Sequence, residues 1–232
     1  RRFNIWLWVL LCVPCLLASC DHDVHSDEEE SGLSVSLTWA DEADQGTEVK
    51  DVKLWIFNAD DGSLVEEKHD GSAQEVASQR FQLPEGTYRI LTTTNLTEPF
   101  FISEQTRSLT NWNNIQIGLT NPKDVRNNAY FGVTDVKIDN KKGSYVVQNP
   151  MKSVLSELTI IIENVPKGTE MSGKALDCAW CLFPTQKNSD GEYGLPSIEP
   201  TEVELPILLA TESTLKSEVI RLMPTIQGSS SS

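Results

Sequence analysis

Leu83-Pro84-Glu85-Gly86-Thr87-Tyr88 is the stretch that most narrows the folds open to this chain. Pro84 holds φ at about −65°. Gly86 admits a tight reversal, and Tyr88 and Ile90 then resume an alternating apolar pattern. One strand is expected to end at Leu83 and another to begin with Tyr88 and Ile90 facing inward. A tyrosine packed at such a corner is a device of β-sandwiches. The motif speaks to fold and not to catalysis.

The flanking sequence fits the same class. Leu33, Val35, Leu37 and Trp39 alternate with polar residues, as in a half-buried strand. Val52-Lys53-Leu54-Trp55-Ile56-Phe57 is apolar on nearly both faces, which predicts a central strand covered on both sides. Asp60-Asp61-Gly62-Ser63 carries the Asp-Gly pair of a hairpin turn. Residues 66–77 and the Asn-rich residues 97–128 read as polar loops. Tyr130–Asp139 reads as a strand whose inward phase shifts between Val133 and Val136, which predicts a bulge. Residues 140–143 form a turn before a partner strand at 144–148.

Pro150 reads as a boundary. After it, Leu158, Ile160 and Ile162 alternate inward with Ile161 opposite, and 175–183 reads as one strand. Asn188–Gly191 is a loop tip. Residues 201–223 mix strand alternation (Val203, Leu205, Ile207) with helical spacing (Leu215, Val219, Leu222), and strands are the preferred reading. About four strands are fewer than a closed sandwich needs. Either the C-terminus is truncated or a partner completes the sheet.

The N-terminus is an address. Arg1 and Arg2 precede an apolar run, Ile5–Ala18, of 14 residues that includes Pro14. A comfortable membrane span needs about 18 or more, so the run fits the core of a signal peptide. Position 1 is not Met, so the true start of the leader is expected to lie before it. Leu17-Ala18-Ser19-Cys20 matches the bacterial lipobox, in which the cysteine thiol takes a diacylglycerol and becomes the first mature residue. A buried cysteine after an apolar stretch is the alternative. Asp21–Gly32 follows, with six of its first ten residues acidic, and reads as an extended tether. His22 and His25 lie within it and are read as tail residues in preference to metal ligands. The expected organisation is a leader (1–19), a lipidated Cys20 with its tether (20–32), one β-sandwich (33–150) and a second one short of strands (151–232).

Charge and cysteine usage exclude several classes. The formal charge is −15, and losing Arg1 and Arg2 with the leader takes it to −17. Such a chain does not seek nucleic acid or anionic headgroups. Cys12 and Cys15 leave with the leader, and Cys20 is consumed by lipid. Cys178-Ala-Trp-Cys181 remains, in a strand-like setting. Residues three apart on a strand face opposite ways, which disfavours a disulfide. Zinc needs a second ligand pair. Free structural thiols, no metal and no cofactor beyond the covalent acyl lipid (palmitate among its chains) are expected.

Catalysis has little to stand on. The chain has three histidines, two of them in the tether. It carries no Gly-x-Ser-x-Gly turn, phosphate loop or His-Glu-x-x-His. Carboxylates are many but scattered, so no enzyme activity is expected. Trp112, in Asn111-Trp112-Asn113-Asn114, is the one candidate ligand contact: it either stacks on a sugar ring or, as preferred, plugs the end of a sandwich.

Taken together, these pieces resemble the fimbrillin-like lipoproteins of Bacteroidota, which include anchor and accessory subunits of type V pili. The matching residues are Leu17–Cys20, the acidic tether, Leu33–Trp39, Val52–Asn58 before the Asp-Gly turn, and Leu83–Tyr88. Ser156–Ile161 and Met171-Ser172-Gly173 add to them in the second half. The resemblance implies two transthyretin-like, Greek-key β-sandwich domains and a non-enzymatic role in fimbrial adhesion. It implies fimbrial subunits as partners through strand addition, and the outer membrane as partner through lipid on Cys20. Asp27–Glu30 is similar to that phylum's surface-export signal and implies a cell-surface location. Shaft subunits with pilin-type processing are cut after an arginine. Here the first arginine after Cys20 is Arg80, which implies an anchor or accessory subunit. The other reading is a glycan-binding surface lipoprotein serving polysaccharide uptake, with host or dietary glycans as ligands.

Overall fold

Val52–Asn58 is buried on both faces because it lies between two separate cores. The computed structural model describes residues 31–103, 110–122 and 125–224. Cys20 and the tether lie outside them. The first eight strands are β1 (Gly32–Trp39), β2 (Val52–Asn58), β3 (Leu64–Asp70), β4 (Gly86–Thr94), β5 (Phe100–Ile102), β6 (Ile117–Leu119), β7 (Tyr130–Ile138) and β8 (Ser144–Ser153). A short helix, α1 (Ala73–Ser78), follows β3. Ten shorter strands complete the described chain: β9 (Ser156–Leu158), β10 (Ile161–Glu163), β11 (Glu170–Met171), β12 (Lys174–Ala179), β13 (Cys181–Lys187), β14 (Tyr193–Pro196), β15 (Pro200–Glu204), β16 (Leu208–Leu209), β17 (Thr214–Lys216) and β18 (Ile220–Leu222). The architecture is all-β and of sandwich type.

A six-stranded sheet runs β1-β8-β7-β4-β2-β3, and a four-stranded sheet runs β14-β13-β6-β5. Between them lies the larger core. Trp55, Phe57, Leu91 and Phe131 enter it from the first sheet, and Phe100, Ile117, Leu119 and Leu182 from the second. The opposite face of the six-stranded sheet buries Leu54, Ile56, Ile90, Val136 and Ile138 with Leu33, Val35, Val76 of α1, Phe81 and Leu83. Side chains alternate with period two, so a strand between two cores must be apolar on both sides. That is the pattern of Val52–Phe57.

Details of this half correct three expectations. Residues 66–77 are not loop: they hold most of β3, which pairs with β2, and α1, capped by Ser72 accepting from the Glu75 amide at 3.3 Å. A sheet edge with a solvent face needs no apolar alternation, so the pattern was silent. Residues 97–128 likewise hold β5 and β6. Strand β7 has no bulge against β4, since its register runs unbroken from Gly86↔Ile138 to Thr94↔Tyr130. The phase shift is a change of core: Phe131 and Val133 face the larger one, Val136 and Ile138 the other.

The proline corner is as expected. Tyr88 is buried, and its hydroxyl donates to the Pro84 carbonyl at 2.9 Å. Burial pushes its pKa above the ordinary phenol value. Gly62 takes φ +73° in the β2–β3 turn, where a side chain would be strained.

Strand β8 pairs in parallel with β1 along all eight residues of β1, but with β7 only at Tyr130↔Ser153 and Phe131↔Lys152. Where β7 and β8 part, the buried Asn149 fills the gap. Its amide donates to Thr92 Oγ1 (3.0 Å) and the Gly132 carbonyl (3.2 Å), and its carbonyl accepts from Thr134 Oγ1 (2.9 Å).

The residue 150 boundary expected from sequence falls inside β8, and β13 joins the sheet of β5 and β6. The remaining strands form two-stranded pairs: β10-β17, β11-β16, β12-β15 and β18-β9. The expected single strand at 175–183 is two strands, β12 and β13, separated at Trp180 and assigned to different sheets. Strands, not a helix, occupy the described part of 201–223. Ile160 and Ile162 pack on a small core with Leu208, Ala210 and Leu215, whereas Leu158 is exposed.

Candidate functional site

The edges of a sheet decide where another chain can add. In the six-stranded sheet both are guarded. Strand β3 presents His69 among Glu66, Glu67, Lys68 and Asp70, whose charges discourage pairing. His69 Nε2 lies 2.5 Å from Asp51 Oδ1. At the other edge, Leu33 of β1 exchanges two 2.9 Å backbone hydrogen bonds with Phe81.

The region after residue 153 is different. Of the nine large apolar residues exposed among the described residues, eight lie there. Ile198 is 84% exposed, Ile207 67% and Leu209 62%. A cavity of about 620 Å³ opens between Val203 and Leu205 on one side and Val219, Ile220 and Leu222 on the other. Unpaired strand edges beside apolar side chains are the features that accept an added strand.

A second cavity, of about 360 Å³, lies at the end of the six-stranded sheet where β1, β4 and β8 finish and β2 and β7 begin. Thr47, Glu48 and Lys50 line one side, Asn95 and Thr97 another, and Arg126, Asn127 and Asn128 a third. Asn95 clamps the first two together from a left-handed backbone (φ +61°). Its side chain accepts from the Lys50 amide at 2.7 Å and donates to the Glu48 carbonyl at 3.0 Å; its own amide donates to the Lys50 carbonyl at 2.9 Å. Thr94 Oγ1 adds a 2.8 Å bond to that carbonyl. Tyr130 also lines the cavity; it is 4% exposed, with its hydroxyl donating to Asp44 Oδ1 at 2.9 Å and its ring edge-on to Trp39. Burial, ahead of the Asp44 charge, raises its pKa. No sequence pattern pointed here, because the walls come from segments some 30 to 45 residues apart.

Trp112 is 4% exposed and belongs to the larger core. Phe57 and Tyr193 meet it edge-on at 5.4 and 5.8 Å, and Arg89 lies over the ring at 5.4 Å. The Thr185 hydroxyl donates to its carbonyl. An indole so enclosed has no face left for a sugar.

Cys178 and Cys181 are free and buried, and burial raises both thiol pKa values. Among the described residues no cluster of His, Cys, Asp and Glu could hold a metal ion. Nor is any helix there long and apolar enough to cross a membrane.

The comparisons with known proteins agree with this architecture. The fimbrial anchor protein Mfa2 from Porphyromonas gingivalis superposes with a TM-score of 0.62 at 14% identity, over 85% of this chain and 74% of that one. A candidate adhesin from Bacteroides thetaiotaomicron gives 0.60 at 12% identity, over 87% and 73%. A candidate polysaccharide-binding protein from the same organism gives 0.55 at 11% identity, over 86% and 74%. At these identities the likeness is one of fold. A search of the curated proteins finds no match. The family model for fimbrillin-A associated anchor proteins Mfa1 and Mfa2 matches residues 22–196, three quarters of the chain. This chain belongs to that family.

Proposed function

We propose that this protein is a non-enzymatic, surface-tethered anchor or accessory subunit of a fimbrium. The family match over residues 22–196 carries the reading. In it, lipid on Cys20 fixes the chain to the outer membrane and the acidic segment spaces the fold from it. A fimbrial subunit adds a strand to the region after residue 153, where apolar side chains and strand edges are exposed. Pull-down of the lipidated protein from its native envelope tests this. Fimbrial subunits are expected in the eluate, and deletion of the protein should release fimbriae into the medium. Fimbriae that stay attached after deletion, and never co-purify, would sink the reading.

A second reading is glycan capture at the cell surface. The fold likeness to a candidate polysaccharide-binding protein favours it, as does the polar cavity beside Asn95. Trp112 has no part in it. Co-purification of an outer-membrane importer and glycosidases, without fimbrial subunits, would replace the first reading with this one.

A further inference from the structure

We propose that the cavity bounded by Lys50, Thr97 and Asn127 is a binding site for one or two residues of an uncharged sugar. The proposal deepens the glycan reading and rests on it.

The cavity's size, about 360 Å³, is at the lower end of the roughly 300–1,000 Å³ typical of small-molecule sites. Its chemistry is mixed donor and acceptor on every wall. Thr47 and Thr97 supply hydroxyls, and Asn127 and Asn128 supply amides. Lys50 and Glu48, 2.8 Å apart, offer an ammonium beside a carboxylate. Each of these pairs can both give and take a hydrogen bond, as each hydroxyl of a sugar does. A flat apolar ligand finds no aromatic face here, because Tyr130 is buried. The lining sets Glu48 against Lys50 and Arg126, and it is the charge of −15 on the whole chain that an anionic ligand must approach.

The site is also rigid. Asn95 and Thr94 hold the Glu48–Lys50 wall by four hydrogen bonds of 2.7 to 3.0 Å. Asn128 is fixed by the Ser153 hydroxyl (2.8 Å) and the Ala129 amide (3.0 Å), both of which donate to its carbonyl. Preorganised walls reduce the ordering cost of binding a polar ligand. The cavity's position suits capture, since Gly32, where the chain enters the sheet, is at the far end of β1. Eight strand residues at about 3.3 Å each put the cavity roughly 25 Å from that entry.

The test is calorimetric titration of the full chain in detergent with galactose, mannose, N-acetylglucosamine, lactose and maltose, and with N-acetylneuraminic acid as the charged comparison. At least one neutral sugar should bind saturably, and tenfold or more weaker in Asn127→Ala and Thr97→Val. Thermal melts confirm that both variants fold, and Lys142→Ala, in the turn at the opposite end of β7 and β8, should bind like the parent. Binding that persists undiminished in both cavity variants overturns this site while leaving the glycan reading standing. No saturable binding by any neutral sugar overturns both. Binding of N-acetylneuraminic acid alone overturns the neutral preference on which the site's assignment depends.

Discussion

Residues 32–153 and residues 154–224 are both β structure, but they solve the problem of burial differently. The first region has long strands of up to ten residues, two cores, and edges that are charged or bridged. The second contributes β13 and β14 to the sheet of β5 and β6. Otherwise it holds pairs of two- to six-residue strands around cores of only a few side chains. A sheet buries apolar area in proportion to strand length and to the number of covered faces. Long covered strands let the first region close one core alone, and the second region helps it close the larger one. The second leaves isoleucine and leucine in water, and such surface is where partners bind.

The contrast can be broken by substitution. The largest effect is expected in the shared core: Phe57→Ala or Trp112→Ala should cost about 3–5 kcal/mol, read from urea unfolding. A loss under 1 kcal/mol at both would deny that the two sheets pack as a unit around them. Next comes the polar plug between β7 and β8. Asn149→Ala leaves Thr92, Thr134 and the Gly132 carbonyl short of partners and should cost about 2 kcal/mol. Tyr88→Phe removes the single bond to Pro84 and should cost about 1 kcal/mol.

The buried thiols give a pH signature. Their folded pKa values are raised, so the neutral thiol is the form the fold accommodates. Their contribution to stability is whole below the ordinary thiol value of about 8.5. It is lost as pH rises from there through the raised native values. Melting temperatures should fall between about pH 8.5 and 9.5, below the tyrosine range, and fall less in a Cys178→Ala/Cys181→Ala variant. Equal slopes would show the thiols to be accessible.

The smallest stability effect is expected in the second region. Ile207→Ser and Leu209→Ser should change stability by no more than about 0.5 kcal/mol, because both side chains are already in solvent. The same pair should abolish co-purification of fimbrial subunits. A large stability loss would mean that this surface is structural, and unchanged co-purification would place the docking surface elsewhere.

Where periodicity has length to act, the sequence was a good guide. The Leu33–Trp39 strand, the two-sided Val52–Phe57 run and the Pro84–Tyr88 corner all appear, although Ser34 is buried with Leu33 and Val35 and Leu37 and Trp39 are only half-buried. Strands of three residues such as β5 and β6 are too short to show a period, and the polar edge strand β3 needs none. The inferred bulge in β7 failed for a different reason. A switch between two cores and a bulge leave the same one-residue shift of phase in a sequence.

Local chemistry by itself determined the β class, the turns and corners, the acidic charge and the resemblance to fimbrial lipoproteins. Each of these rests on neighbours within a few residues. Tertiary structure encloses Trp112 as the sequence preferred, and it alone decided that β12 and β13 part company at Trp180 and that Glu48, Asn95 and Asn127 share one cavity. Those outcomes depend on which distant strands pair. Pairing is set by the burial of whole sheet faces, a quantity that no single stretch of the chain contains.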